Sequence, residues 1–384
     1  MEAIVSTKEL RAGVERAGAA VKASHFLPMA RRLLIKADDE MVKFVGTDFE
    51  TTITTWTQGS VIKQGAAAIA ARPLKEWLPL VKKDDVHISL GSSGRIDRML
   101  RFTAGRQRLT LTYVPADEFP PVPNVEGTGL WLKASFLKSA LEQVVVCAAK
   151  ENDRPVLTGV QVSITAGQVV FVGADGYRLG VRDSLHDPNW SEDLSVIVPR
   201  NAVLHLGKLL PDTDEKVNVI VSENRGQAAF RWGQVHLVSQ LIQGKFPNTD
   251  TLIPEGYTSR AVVNREEFLA ATTRVGVFGR ENNDLINLRM CYREEGMPEM
   301  SLDGSASEIG ECKVTVAIEL EGKGGNIAFA SKYLADALNV MPTEKVALEI
   351  SSATSAGVLR PVGMDEYVHV IMPIYVGSVG ERQK

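Results

Sequence analysis

One pattern occurs three times along the 384 residues, and it constrains the fold more than any other feature of the chain. "STKELRAGVERAGAAVKA" from Ser6, "KASFLKSALEQVVVCAAK" from Lys133 and "NREEFLAATTRVGVFGR" from Asn264 each run from a polar start into helical spacing. Their anchors Leu10, Leu137 and Leu269 are roughly 130 residues apart, a domain-sized period. A second triplet starts at Ala71, Val198 and Ala330: a helix, an acidic-basic turn, then an alternating strand. Between these lies a third: "VKFVGTDFETTI", "VVFVGADGYRLGV" and "EMSLDGSASEIGE", each a strand and a polar turn. Three triplets in one order mean internal repetition.

The repetition predicts three domains, 1–127, 128–253 and 254–384, of class α+β. Each carries two helices packed on antiparallel sheets of about eight strands. Ser6 with Glu9 and Asn264 with Glu267 have capping-box spacing. The Pro-rich stretches Pro115–Gly129 and Gln243–Thr258 mark the boundaries.

The chemistry of most enzymes is missing. No GxSxG, HExxH or phosphate loop occurs, and "GKGGN" near Gly322 reads as a hairpin turn. The six histidines have no ligand spacing, so neither a metal nor a cofactor is expected. Cys147, Cys291 and Cys312 form no CxxC pair and read as reduced thiols of a cytoplasmic protein. No apolar run is long enough for a membrane span. A net charge of −4 disfavours a surface that is basic throughout, yet Lys and Arg gather on the repeated helices.

"VGADGYRLGV", with "RPVLTGV" from Arg154, "VSQLIQGKFPNTDTLIP" from Val238 and "VHVIMPI" from Val368, resembles the β subunit of bacterial DNA polymerase III, the β sliding clamp family. The resemblance spans essentially the whole chain. It implies a head-to-tail homodimeric ring around double-stranded DNA, encircled without sequence preference. The ring would be a non-catalytic processivity factor, with the polymerase III catalytic subunit, the clamp loader and other proteins bearing a clamp-binding motif as partners. Matching residue by residue, it implies a client-peptide pocket of Leu157, Ala174, Gly176, Tyr177, Arg178, Leu179, Pro247, Leu252, Val370, Met372, Pro373 and Ile374. Tyr177 and Arg178 would be its rim, with Arg178 free to bond peptide carbonyls. DNA contacts would fall to Arg72, Lys75, Arg154, Arg200 and Lys332, and the dimer interface to Leu109, Leu111, Val277 and Phe278. The family's arginine in the first domain aligns with Ser24-His25, so no role is carried over there. The tail past Ile374 is longer than the family's, and its Tyr375–Lys384 segment could fold back over the pocket.

Two other classes fit the residues. One is a three-domain hydrolase or transferase using Asp175 as base and Arg178 as anion clamp, which requires a deep polar pocket with strongly shifted pKa values. The other is a monomeric peptide-binding scaffold.

Overall fold

A computed structural model describes residues 1–22, 24–93, 96–127, 129–151, 153–183, 193–279, 284–292, 296–306 and 310–374. The tail Tyr375–Lys384 lies outside the described residues.

Each repeat contributes two helices: α1 (Thr7–Ala17) and α2 (Ala71–Trp77), α3 (Ala134–Val145) and α4 (Arg200–Leu209), α5 (Arg265–Gly279) and α6 (Ser331–Val340). Their starts follow the sequence. Ser6 accepts the Glu9 N–H at 3.2 Å, and the Asn264 side chain accepts those of Glu266 and Glu267 at 3.0 and 3.1 Å. Those bonds satisfy N–H groups that an isolated helix leaves open. Among the described residues, nine strands fall in the first repeat, eight in the second and nine in the third.

Chain contacts divide the molecule into two compact units, 1–138 with 204–242, and 139–203 with 243–384. The cut passes through the second repeat because its strands continue the sheets of its neighbours. In the first unit, Val235–Gln240 pairs antiparallel with Thr51–Gln58, with His236 opposite Thr54. In the second unit, Arg178–Asp183 pairs antiparallel with Tyr367–Ile371, with Gly180 opposite His369. The two junctions are equivalent. In each, the strand after the repeated polar turn meets the last strand of the following repeat.

The first unit's core contains Leu10, Val14, Phe44, Leu74, Ile88 and Phe102. The second unit's core contains Phe268, Val275, Leu302, Phe329, Leu334 and Tyr367. In both, the apolar stripes of the helices are buried against the apolar faces of strands. A glycine recurs where each repeat's first helix meets its sheet: Gly46 beneath Ala17, Gly173 beneath Val144, and Gly304 beneath Val275.

Candidate functional site: the Asp175–Arg178 hairpin and its cleft

Strands Gln168–Ala174 and Arg178–Asp183 pair with Ala174 opposite Leu179, which leaves Asp175, Gly176, Tyr177 and Arg178 to turn the chain. Asp175 organises the turn. Its Oδ1 accepts the N–H groups of Tyr177 and Arg178, both at 3.0 Å. Gly176 sits at φ +92°, a left-handed conformation that glycine adopts without a Cβ penalty. On the neighbouring strand, Met372 donates its N–H to the Tyr177 carbonyl at 2.8 Å, which extends the pairing into the turn.

Arg178 is not a rim residue. Its side chain is buried, with Nε donating to Asp175 Oδ2 at 2.9 Å and a terminal nitrogen donating to Asp336 Oδ2 at 2.8 Å. The guanidinium also lies over the Tyr333 ring, 4.3 Å from its centroid. Burial disfavours its charge, but the hydrogen bonds to Asp336 and Asp175 hold its pKa above the ordinary value. Nε and one terminal nitrogen of Arg178 are thus committed to the two carboxylates, and Asp175, engaged in turn, is poorly placed to act as a base. Tyr177 does form a rim: it is 63% exposed and stacks at 27° and 6.5 Å on Tyr333.

A cleft of about 630 Å³ opens beside the hairpin. Leu157, Gly176, Tyr177 and Arg178 line it together with Lys150 and Tyr333. Arg154 and Lys332, expected at the DNA, line the same cleft. Behind it, Ala174, Leu179 and Val370 are buried in the sheet and serve as foundation. Leu252 and Met372 are exposed, at 54% and 47%, as is Pro247, while Pro373 is half-buried. Ile374 lines a different cavity, of about 370 Å³, with Asn287, Asp303 and Ala328.

The remaining DNA candidates have varied surroundings. Arg72 is exposed and bonded to Glu76 at 2.7 Å. Lys75 donates to the carbonyl of Gly18 at 3.1 Å, at the C-terminal end of α1, where a cation suits the helix dipole. Arg200 is half-buried, and its pKa is lowered by burial and by nearby Arg178. Of the dimer candidates, Leu109 and Leu111 are half-buried on the first unit's core, Val277 is 55% exposed and Phe278 is half-buried.

Under the hairpin lies a buried polar group that the sequence analysis missed. Tyr367 donates its hydroxyl to the Gln143 carbonyl at 3.0 Å, so its oxygen must accept from His369 Nδ1, also at 3.0 Å. The Cys147 sulfur stands 3.7 Å from the imidazole. Burial lowers the His369 pKa to about 3 and raises those of Cys147 and Tyr367, so all three are neutral near pH 7. None of them lines the cleft. Tyr333 and Asp336, three residues apart on α6, were also missed. Their spacing alone does not separate them from an ordinary helix face.

Repeated α+β domains joined through shared sheets are the fold of the DNA polymerase sliding clamps. The Bacillus subtilis clamp structure superposes with a TM-score of 0.88, covering 98% of this chain and 100% of that one at 24% identity. The Pseudomonas aeruginosa clamp bound to griselimycin gives the same score, coverage and identity.

The chain belongs to the DNA polymerase III beta subunit family. Its N-terminal, central and C-terminal domain models match residues 1–123, 131–248 and 250–375 in turn. The beta sliding clamp of Staphylococcus aureus is 28% identical over 357 residues, 91% of this chain and 92% of that protein.

Proposed function

We propose that this chain is a sliding clamp, a non-catalytic ring of two copies that encircles duplex DNA and tethers the replicative polymerase and other clients. One observation carries the ring. The two internal junctions join the strand after a polar turn to the last strand of the next repeat. The same rule leaves one strand of each type without such a partner. Gly310–Ala317 pairs only with Pro298–Ala306 among the described residues. Residues 107–112 pair on one side with Ile96–Ala104 and, among the described residues, have no ladder on the other. These edges belong to opposite ends of the repeat series. A second copy can complete both junctions head to tail, and two such contacts close a ring. Leu109 and Leu111 then meet Val277 and Phe278 and gain the cover they lack.

A ring holds DNA by topology, so its phosphate contacts need only be few and sequence-independent. Each tight contact would add a counterion-release term and slow sliding. A net charge of −4 is compatible with that mode. Arg72 is the exposed candidate outside the cleft, and Lys75 and Arg200 are secondary. The clients are short peptides with apolar anchors, received on the surface that Tyr177, Leu252 and Met372 leave exposed. Met372 adapts its shape to different anchors.

The ring is tested by Val277→Glu. Val277 is already exposed, so the substitution spares the folded protomer. In sedimentation the wild type is expected as a dimer and the variant as a monomer. Wild-type protein loaded by a clamp loader is expected to stay on nicked circular plasmid and to leave when the plasmid is linearised. Equal retention on both forms, or a dimeric variant, would refute the reading. The client surface is tested by Met372→Glu, expected to weaken a fluorescent apolar peptide by about tenfold or more with the dimer intact. Unchanged affinity would exclude Met372 from that surface.

A further inference from the structure

The Asp175–Arg178 turn has a counterpart in the first repeat. Asp48 donates its N–H to the Thr51 carbonyl at 3.2 Å, as Asp175 does to that of Arg178 at 3.3 Å. Asp48 Oδ1 accepts the N–H groups of Glu50 and Thr51 at 3.1 and 2.7 Å, matching the bonds that Asp175 makes. The neighbouring strand donates to the third residue of each turn, Gln240 to Glu50 and Met372 to Tyr177, both at 2.8 Å. A short Pro-led helical turn stands ahead of each, Pro28–Arg31 and Pro155–Thr158. The second position differs. Gly176 holds φ +92° without a Cβ, whereas Phe49 holds φ +72°. That backbone is strained for a bulky residue, and the Phe49 ring, 42% exposed, recovers little of the cost by burial. Strain that packing does not offset points to a use for the ring.

The His25 imidazole faces the Phe49 ring at 6.2 Å and stacks on Phe26 at 4.6 Å and 23°. Phe26 is 80% exposed, and Leu27 and Pro28, next in the chain, are exposed too. Two bonds fix the loop that carries them: Leu27 N–H to His25 Nδ1 at 3.1 Å, and Arg31 Nε–H to the His25 carbonyl at 2.6 Å. Exposed apolar groups gathered in this way mark an interaction surface.

We propose that His25, Phe26, Leu27 and Phe49 form a second docking surface, for a peptide with aromatic or aliphatic anchors, at the first-repeat counterpart of the client hairpin. The kind of occupant rests on the client-peptide reading above; the place does not. Local charge favours a peptide over a nucleic acid. The Lys22 ammonium is bound to buried Asp48 at 2.7 Å, and the exposed Glu50 next to Phe49 offsets the exposed Arg31. A phosphate chain finds little net attraction there. In register, Thr47 and Thr52 stand where the later hairpin has Ala174 and Leu179, and their hydroxyls bond each other at 2.9 Å. The anchors therefore lie on the rings and not in an apolar pocket behind the turn, which favours flat aromatic anchors.

The probes are a fluorescein-labelled peptide with Phe and Leu between Gly-Ser flanks, and the same peptide with both anchors replaced by Ser. The protein is the full chain, as wild type, as Phe26→Ser/Phe49→Gly, as Met372→Glu and with all three substitutions. Phe26 and Phe49 are exposed and glycine suits φ +72°, so the double variant is expected to unfold at the wild-type denaturant midpoint or above. Titration of the wild type is expected to give two peptides per protomer. The double variant and Met372→Glu should each bind one, and the triple variant none. The Ser peptide should bind to no form of the protein. One peptide per protomer in the wild type, lost in Met372→Glu and kept in the double variant, would overturn the second surface while leaving the client surface standing. One peptide lost in the double variant alone would support this surface and remove Met372 from the other. No binding by the wild type would overturn both. A markedly lower midpoint in the double variant would make the rings structural and overturn the proposal. So would a double variant that keeps both peptides but loses retention on circular plasmid, which would assign the rings to nucleic acid.

Discussion

Arg178→Leu is expected to destabilise the second unit by about 3 kcal/mol or more, the range found when one partner of a buried ion pair is removed. The guanidinium is the shared counter-charge of Asp175 and Asp336, which come from a hairpin turn and from α6. Without it the half-buried Asp175 carboxylate keeps two backbone N–H donors but loses its cation, and Asp336 loses its partner. Arg178→Lys keeps the charge but cannot direct two rigid N–H groups to two carboxylates, so an intermediate loss of about 1–2 kcal/mol is expected. The check is hydrogen exchange read strand by strand. Protection should fall in Arg178–Asp183 and Tyr367–Ile371, which pair with each other, and stay unchanged in the first unit's strands. Wild-type protection in Arg178→Leu would mean that Arg178 does not hold this junction.

The second large effect is expected at the repeated glycines. An added Cβ would come within 2.0 Å of the Ala17 carbonyl oxygen at Gly46, and within 2.1 Å of the Val144 carbonyl oxygen at Gly173. Both neighbours are backbone at a helix end, so neither can swing aside as a side chain would. At Gly304 the nearest atoms are Val275 Cγ1 and O, both at 2.9 Å, and the side-chain atom can yield. Ala at Gly46 or Gly173 is therefore expected to cost about 3 kcal/mol or more, at or above the usual upper range for overpacking, and Ala at Gly304 about half that. The entropic benefit of Gly→Ala, about 0.4–1 kcal/mol, is too small to reverse the sign. Denaturant midpoints of the three variants give the ranking. A Gly304→Ala variant as unstable as the others would break the argument.

Arg178 ties the hairpin turn that carries Tyr177 to α6. From "DGYR" alone Arg178 reads as a rim cation, because nothing local to the turn buries it. Asp336 lies far along the chain, on α6, and no local rule pairs the two. Packing against a distant helix makes Arg178 a structural tie, while it still lines the cleft. The same helix carries Tyr333 and Lys332, which line the cleft of the hairpin, as does Arg154 from the chain before Pro155.

Local order was legible because its causes are local. The three helix pairs follow from apolar residues at helical spacing, and the starts of α1 and α5 from Ser6 and Asn264, whose side chains satisfy N–H groups two or three residues on. The turn at Asp175-Gly176 follows from one carboxylate and one glycine. The threefold repeat, and with it the α+β class and the family resemblance, needed only the order of residues. Strand neighbours across repeats, the Tyr367–His369–Cys147 group and the Arg178 tie were decided by tertiary structure. Each joins residues far apart in the chain, and burial and charge act through distance in space, which a pattern of near neighbours does not encode.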